Sequence, residues 1–128
     1  MPLLVLVYAL LFFKFDLAIV VDCVNLSRIG SCVSLFNNAI NSIVIDHHEE
    51  FKHFATINIS NPCAAATGEM LYELFIQNNI QITNEIARLL YSSIAADTGG
   101  FIHSNTTNKT FEIINNLLKY DFDYLNIN

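Results

Sequence analysis

The stretch Ser42-Ile43-Val44-Ile45-Asp46-His47-His48 is a short β-branched run that stops on an acidic residue and two imidazoles. A continuous apolar run of that length, without polar alternation, fits a strand covered on both faces, the habit of parallel sheets. The same pattern stands upstream, where Leu17-Ala18-Ile19-Val20-Val21 ends at Asp22. That upstream run reads as a central parallel strand, and Ser34 to Ile40 predicts a short helix between the two. In open parallel sheets the ligand crevice lies outside the carboxyl ends of the strands, so Asp22 and Asp46 should point into one cleft.

Downstream, Ala55 to Ile59 predicts a third strand. Asn61-Pro62 follows as an N-cap with proline in the first helical turn. The helix it opens should run to about Gln77, with Ala66, Met70, Leu74 and Phe75 inward and the Glu69/Glu73 pair, one turn apart, facing water. Asn78-Asn79 breaks that pattern. Thr83 opens a second helix whose stripe of Ile86, Leu89, Leu90 and Ile94 runs toward Asp97, and Gly99-Gly100 stops it. Thr106 or Thr107 can cap a third helix, ending near Tyr120, with Phe111, Ile114 and Leu118 inward. The expected class is therefore α/β, a mainly parallel sheet flanked by helices. One domain is expected over residues 15–128, with a separate apolar segment at 1–14.

Composition narrows the function. With 128 residues and 53% hydrophobic side chains the chain can build one real core. A net charge of −6 with only six Lys and Arg leaves no basic stripe for long DNA, so a nucleic-acid substrate would have to be short. The three cysteines, Cys23, Cys32 and Cys63, form no CxxC pair, which argues against a zinc site or a disulfide framework and for buried free thiols in a cytoplasmic protein. Pro2 to Phe13 is apolar but short of the roughly 20 residues that cross a bilayer. It has neither a basic start nor a small-residue cleavage site. A buried strand or a start produced by truncation are the readings it leaves, and no membrane role is expected.

Asp22, Asp46-His47-His48, Asp97 and His103 offer the carboxylates and imidazoles that suit Mn²⁺, Mg²⁺ or Zn²⁺. Each alone has an ordinary explanation, as a helix cap or a solvated histidine. Together, acidic groups at the ends of buried elements repel one another unless a cation neutralises them.

In order and spacing, Val44-Ile45-Asp46-His47-His48 resembles the signature of the DHH phosphoesterases. Asp22-Cys23-Val24-Asn25-Leu26-Ser27-Arg28-Ile29-Gly30 is similar to that family's second motif. Asn61-Pro62-Cys63-Ala64-Ala65-Ala66-Thr67-Gly68-Glu69 resembles the small-residue helix start of its oligoribonuclease and phosphoadenosine-phosphate phosphatase branch. Asp97-Thr98-Gly99-Gly100-Phe101 followed by Ser104-Asn105-Thr106-Thr107 is similar to the fourth motif.

The resemblance implies a two-metal site loaded with Mn²⁺ or Mg²⁺, two ions about 4 Å apart assisting an in-line displacement at phosphorus. It makes Asp22 a bridging carboxylate, with His47 and Asp97 as further metal ligands. His48 would contact the scissile phosphate, and Asp46 would orient the histidines from behind. Arg28 would contact substrate phosphate or pair with an acidic neighbour, and His103 would reach substrate. Gly99-Gly100 would let backbone approach the cleft or simply cap a helix.

The family's first motif, a histidine followed by Asp-x-Asp, has no counterpart: no histidine precedes His47 and only Asp16 precedes Asp22 among the acids. A C-terminal substrate-binding domain has none either. The resemblance thus implies a partial DHH domain acting on short oligoribonucleotides or 3′-phosphoadenosine 5′-phosphate, incomplete as a single chain and open to completion by a separately encoded half. A non-catalytic remnant that keeps the fold, and a cyclic-dinucleotide phosphodiesterase fragment, stand as the alternatives.

Overall fold

The computed structural model describes residues 14–127. The segment 1–14, read above as strand or truncated start, lies outside the described residues except for Lys14. The chain divides into two compact units, one through Ser60 and the other from Asn61.

The first unit is a three-stranded parallel sheet in the order β1-β2-β3, built from β1 (Phe15–Val21), β2 (Ala39–Asp46) and β3 (Ile57–Ser60). The α/β class and the parallel sheet are those expected. The central strand is different: β2 lies between the other two, and among the described residues β1 pairs on one side alone. Burial agrees, because Val44, Ile45 and Asp46 of β2 are buried whereas Leu17, Ile19 and Val21 of β1 are exposed. A bare apolar run does not say which of two similar strands is inside.

The link between β1 and β2 holds a 3₁₀ helix, Leu26–Cys32, which sequence periodicity did not signal. It is followed by α1 (Val33–Asn37), shorter than the predicted Ser34–Ile40 helix because β2 claims residues from Ala39 onward. Asn25 caps the 3₁₀ turn, its Oδ1 accepting from Ser27 N at 3.1 Å. α1 packs on β1 and β2 through the buried Phe36.

The second unit is helical: α2 (Thr67–Gln77), α3 (Asn84–Asp97) and α4 (Asn108–Leu117). Thr83 and Thr107 cap α3 and α4 as expected, Thr107 in a reciprocal box with Thr110. Gly99 and Gly100 end α3 in left-handed backbone at φ 57° and 69°. The core joins Ala66, Ile82, Ala87, Leu90, Ile94, Ile113, Ile114 and Leu117. Gly68 lets α2 and α3 approach closely, since a methyl group there would stand 2.8 Å from Ser93 Oγ.

Several expected positions are corrected. Asn61-Pro62 does not cap α2 but forms a turn, with Asn61 Oδ1 accepting from Cys63 N and its carbonyl from Ala64 N, both at 3.1 Å. The helix starts at Thr67, after the three alanines have been used as buried turn. Glu69 does not face water: it is 1% exposed and bends back to accept from Ala65 N at 3.0 Å. Leu89, Phe111 and Leu118 are exposed, and α4 turns Ile113 and Leu117 inward beside the expected Ile114. Of the three free thiols only Cys23 is buried; Cys32 and Cys63 are exposed. Among the described residues no helix is long and apolar enough to cross a membrane.

Candidate metal centre

Parallel register brings the acidic strand ends together. Val21 pairs with Ile45, so Asp22 and Asp46 come one residue later on adjacent strands. Asp22 N still donates to Ile45 O at 2.9 Å, but its φ of 57° turns the chain out of the strand at that point. Left-handed backbone is costly for most side chains and comparatively tolerable for Asp and Asn, so an aspartate is a residue able both to make this turn and to present a carboxylate.

Donor atoms of Asp22, His47 and His48 lie within 4.8 Å of one another. His47 Nε2 stands 3.6 Å from Asp22 Oδ1, and the two imidazoles lean together with centroids 4.7 Å apart. Asp22 and His48 are exposed and His47 is half-buried, so the cluster opens to solvent. Behind it Asp46, 0% exposed, accepts through Oδ1 from His48 N at 2.6 Å and meets His48 Nδ1 at 2.7 Å. A carboxylate accepts, so this contact places a ring hydrogen on Nδ1 and leaves Nε2 for another partner. Asp46 Oδ2 is buried with no hydrogen-bond partner among the described residues. Oxygen and imidazole nitrogen gathered this closely, backed by a carboxylate that fixes a ring, form a donor set that fits a divalent first-row cation.

Arg28 lies exposed on the 3₁₀ helix and makes no ion pair among the described residues. The expected pairing with an acidic neighbour is therefore not formed. An apolar hollow beside β1, lined by Leu17, Ile19, Ile29, Leu35 and Phe36 among others, has no carboxylate or imidazole in its wall and is not where the chemistry gathers.

Asp97 and His103 belong to the second unit. Asp97 is the last residue of α3 and half-buried. Thr98, fully buried, ties the following turn: its hydroxyl donates to Ile94 O at 2.6 Å and accepts from Phe101 N at 3.1 Å. His103 is exposed, but its ring lies over Gly99, where a Cβ would collide with it, and its Nδ1 is 3.3 Å from Asp97 O. Asn105 reaches the same carbonyl at 3.2 Å and also Ala65 O at 3.0 Å. The sequence placed Thr98 and Asn105 in the fourth motif without assigning them a role, since a polar residue in a loop gives no sign of its partners. Phe101, at φ 71°, turns its ring to Tyr91 at 5.7 Å; burial pushes the Tyr91 hydroxyl up, with Tyr124 adding to the shift.

The model of the DHH family N-terminal domain matches residues 4–94. The chain is 40% identical over 108 residues, 84% of its length, to the probable bifunctional oligoribonuclease and PAP phosphatase NrnA of Streptococcus mutans, and covers 34% of that protein. It is 30% identical over 109 residues, 83% of its length, to the Bacillus subtilis bifunctional oligoribonuclease and PAP phosphatase NrnA, again covering 34%. Among solved structures, an exopolyphosphatase-related protein from Bacteroides fragilis superposes with a TM-score of 0.84 at 26% identity, over 98% of this chain and 37% of that one. The chain thus spans about a third of the length of the relatives it matches.

Proposed function

This chain belongs to the DHH family, and from that premise we propose that it is part of a metal-dependent phosphoesterase acting on short oligoribonucleotides or 3′-phosphoadenosine 5′-phosphate. The observation that carries the reading is the open cluster of Asp22, His47 and His48 at adjacent parallel strand ends, backed by the buried Asp46. The substrate class comes from the two NrnA relatives, whose names state both activities.

In this reading Asp22 and His47 bind Mn²⁺ or Mg²⁺, and the family resemblance makes Asp97 a further metal ligand. When bound, such ions activate water and neutralise charge on the phosphoryl oxygens. Asp46 keeps the His48 Nδ1 hydrogen, which leaves Nε2 aimed outward to contact phosphate. Arg28, which makes no ion pair among the described residues, would meet a substrate phosphate as a forked donor, and His103 would act from the Asp97 loop. No serine or cysteine nucleophile is needed.

The ligand set in this sequence is sparse, because no histidine precedes His47 and only Asp16 precedes Asp22 among the acids. Metal binding should therefore be weak and turnover by the chain alone slow, with a separately encoded half a candidate for completing the site. The same sparseness favours a second reading, a binding module without turnover. Phosphate release from 3′-phosphoadenosine 5′-phosphate and cleavage of a dinucleotide, each measured with Mn²⁺, decide between them. Hydrolysis that disappears in Asp22→Ala supports the enzyme; Mn²⁺ binding without hydrolysis supports the module; hydrolysis indifferent to Asp22→Ala defeats both.

A further inference from the structure

The carbonyl of Asp97 ends α3, and the last carbonyls of a helix have no partner within it. Here two side chains from one loop converge on that oxygen, Asn105 Nδ2 at 3.2 Å and His103 Nδ1 at 3.3 Å. Asn105 uses the same amide nitrogen to reach Ala65 O at 3.0 Å, forty residues away in sequence. Ala65 is held in turn from its other side, its N–H donating to the buried Glu69 at 3.0 Å. Glu69 Oε1 is buried with no hydrogen-bond partner among the described residues. Burying a carboxylate oxygen without a partner is costly, and an ordinary glycine stop at a helix C-terminus does not require it. The arrangement is thus more expensive than stopping a helix requires.

We propose that Asn105 is a positioning residue: by clamping the Asp97 carbonyl to the Ala65 turn, it fixes the carboxylate of Asp97 for a divalent cation. The clamp works through the backbone. A carboxylate on a fraying helix end samples several directions and loses rotamer freedom on meeting an ion, whereas one whose main chain is tied on both sides has already lost part of it. Gly99 belongs to the device, since its missing Cβ makes room for the His103 ring that supports the same carbonyl. Glu69 holds the far end of the clamp through Ala65. The inference rests on the reading of Asp97 as a metal ligand.

The test is Mn²⁺ titration of the full 128-residue chain followed by NMR, reading paramagnetic broadening of the amides of Thr98, Gly99 and Gly100 beside those of Asp22 and His47, with thermal melting measured in parallel. Asn105→Ala should weaken Mn²⁺ binding about 10-fold or more, the range for residues that orient ligands from behind, and should remove the broadening at Thr98 to Gly100. Asn105→Asp, which keeps the size but sets a carboxylate oxygen against two carbonyls, should do the same and stands in if the alanine variant folds poorly. Asn105→Ala combined with Asp97→Ala should bind no more weakly than Asp97→Ala alone, because both act through one carboxylate. Full broadening and unchanged affinity in folded Asn105→Ala and Asn105→Asp would overturn the clamp and leave Asp97 as a ligand. Unchanged binding in Asp97→Ala would remove the ligand reading itself and the clamp with it.

Discussion

The two units of this chain handle apolar surface in opposite ways. From Asn61 onward, three helices close a continuous core in which Ile94 and Leu117 are 0% exposed and small residues, Ala66, Gly68 and Ala87, let the helices approach. Through Ser60, a parallel sheet of β-branched residues buries the C-terminal half of its middle strand but leaves Leu17, Ile19, Ile40 and Ile57 exposed. The sheet also carries, at its strand ends, the group of carboxylate and imidazole donors found close together among the described residues. The contrast separates stability from chemistry: the helical unit supplies the dense packing, and the sheet supplies a rigid edge on which a carboxylate and two imidazoles can be held close together.

The sharpest way to break that contrast is a matched pair of truncations. Ile94→Ala should destabilise the chain by about 2–5 kcal/mol, because it opens a cavity in a fully packed site. Ile19→Ala, at a position 60% exposed, should stay within about 0.5 kcal/mol. Equal losses in urea denaturation would mean that the face of β1 is as well packed as the helical core. Next in size, Gly68→Ala should cost about 1–3 kcal/mol by forcing α2 away from Ser93, and Gly68→Ser no less. A neutral result would show that the helix contact is looser than described.

On the chemical side, Asp22→Asn keeps a residue tolerant of the left-handed backbone while removing the charge. Calorimetric titration should find Mn²⁺ affinity lowered at least about 10-fold, equivalent to roughly 1.4 kcal/mol, with the melting temperature held or raised as the charge crowd is relieved. Affinity retained in that variant would detach the sheet edge from metal binding.

The smallest effect is expected at Glu85, whose hydrogen bond from Arg88 and the charge of that guanidinium hold its carboxyl below the usual range. A depressed carboxylate stabilises the folded chain above its unfolded pKa, and the contribution is lost as pH falls through the folded value. The pair lies at the surface and is screened by solvent, so Glu85→Gln should leave melting near neutral pH almost unchanged and flatten its acid limb only slightly. A clear drop at neutral pH would give the surface of α3 a weight that the core is thought to carry.

Much of this was legible before any coordinates. The β-branched runs ending on Asp22 and Asp46, the caps at Thr83 and Thr107 and the glycine stop after Asp97 are local signals, each written within a few residues. The side chains assigned to the wrong face share one cause. Leu89, Phe111 and Leu118 sit near the boundary of an apolar stripe, where a small rotation of the helix decides between core and water. Glu69 was paired with Glu73 by spacing, but Glu73 meets Lys109 whereas Glu69 folds back into the turn before its own helix. Spacing fixes which residues share a face; it does not fix which face is covered.

The candidate centre divides along the same line. The sequence by itself determined the kinds of donor, the order in which they occur and the strand ends that carry them, because those depend on residue type and on patterns a few residues long. Only the tertiary structure decided that β2 lies between the other described strands, that register sets Asp22 beside Asp46, that Asp46 grips His48, and that Asn105 ties Asp97 to Ala65. Those are contacts between residues up to forty apart, settled by strand pairing and close packing, and neither propensity nor spacing along the chain encodes a direction in space.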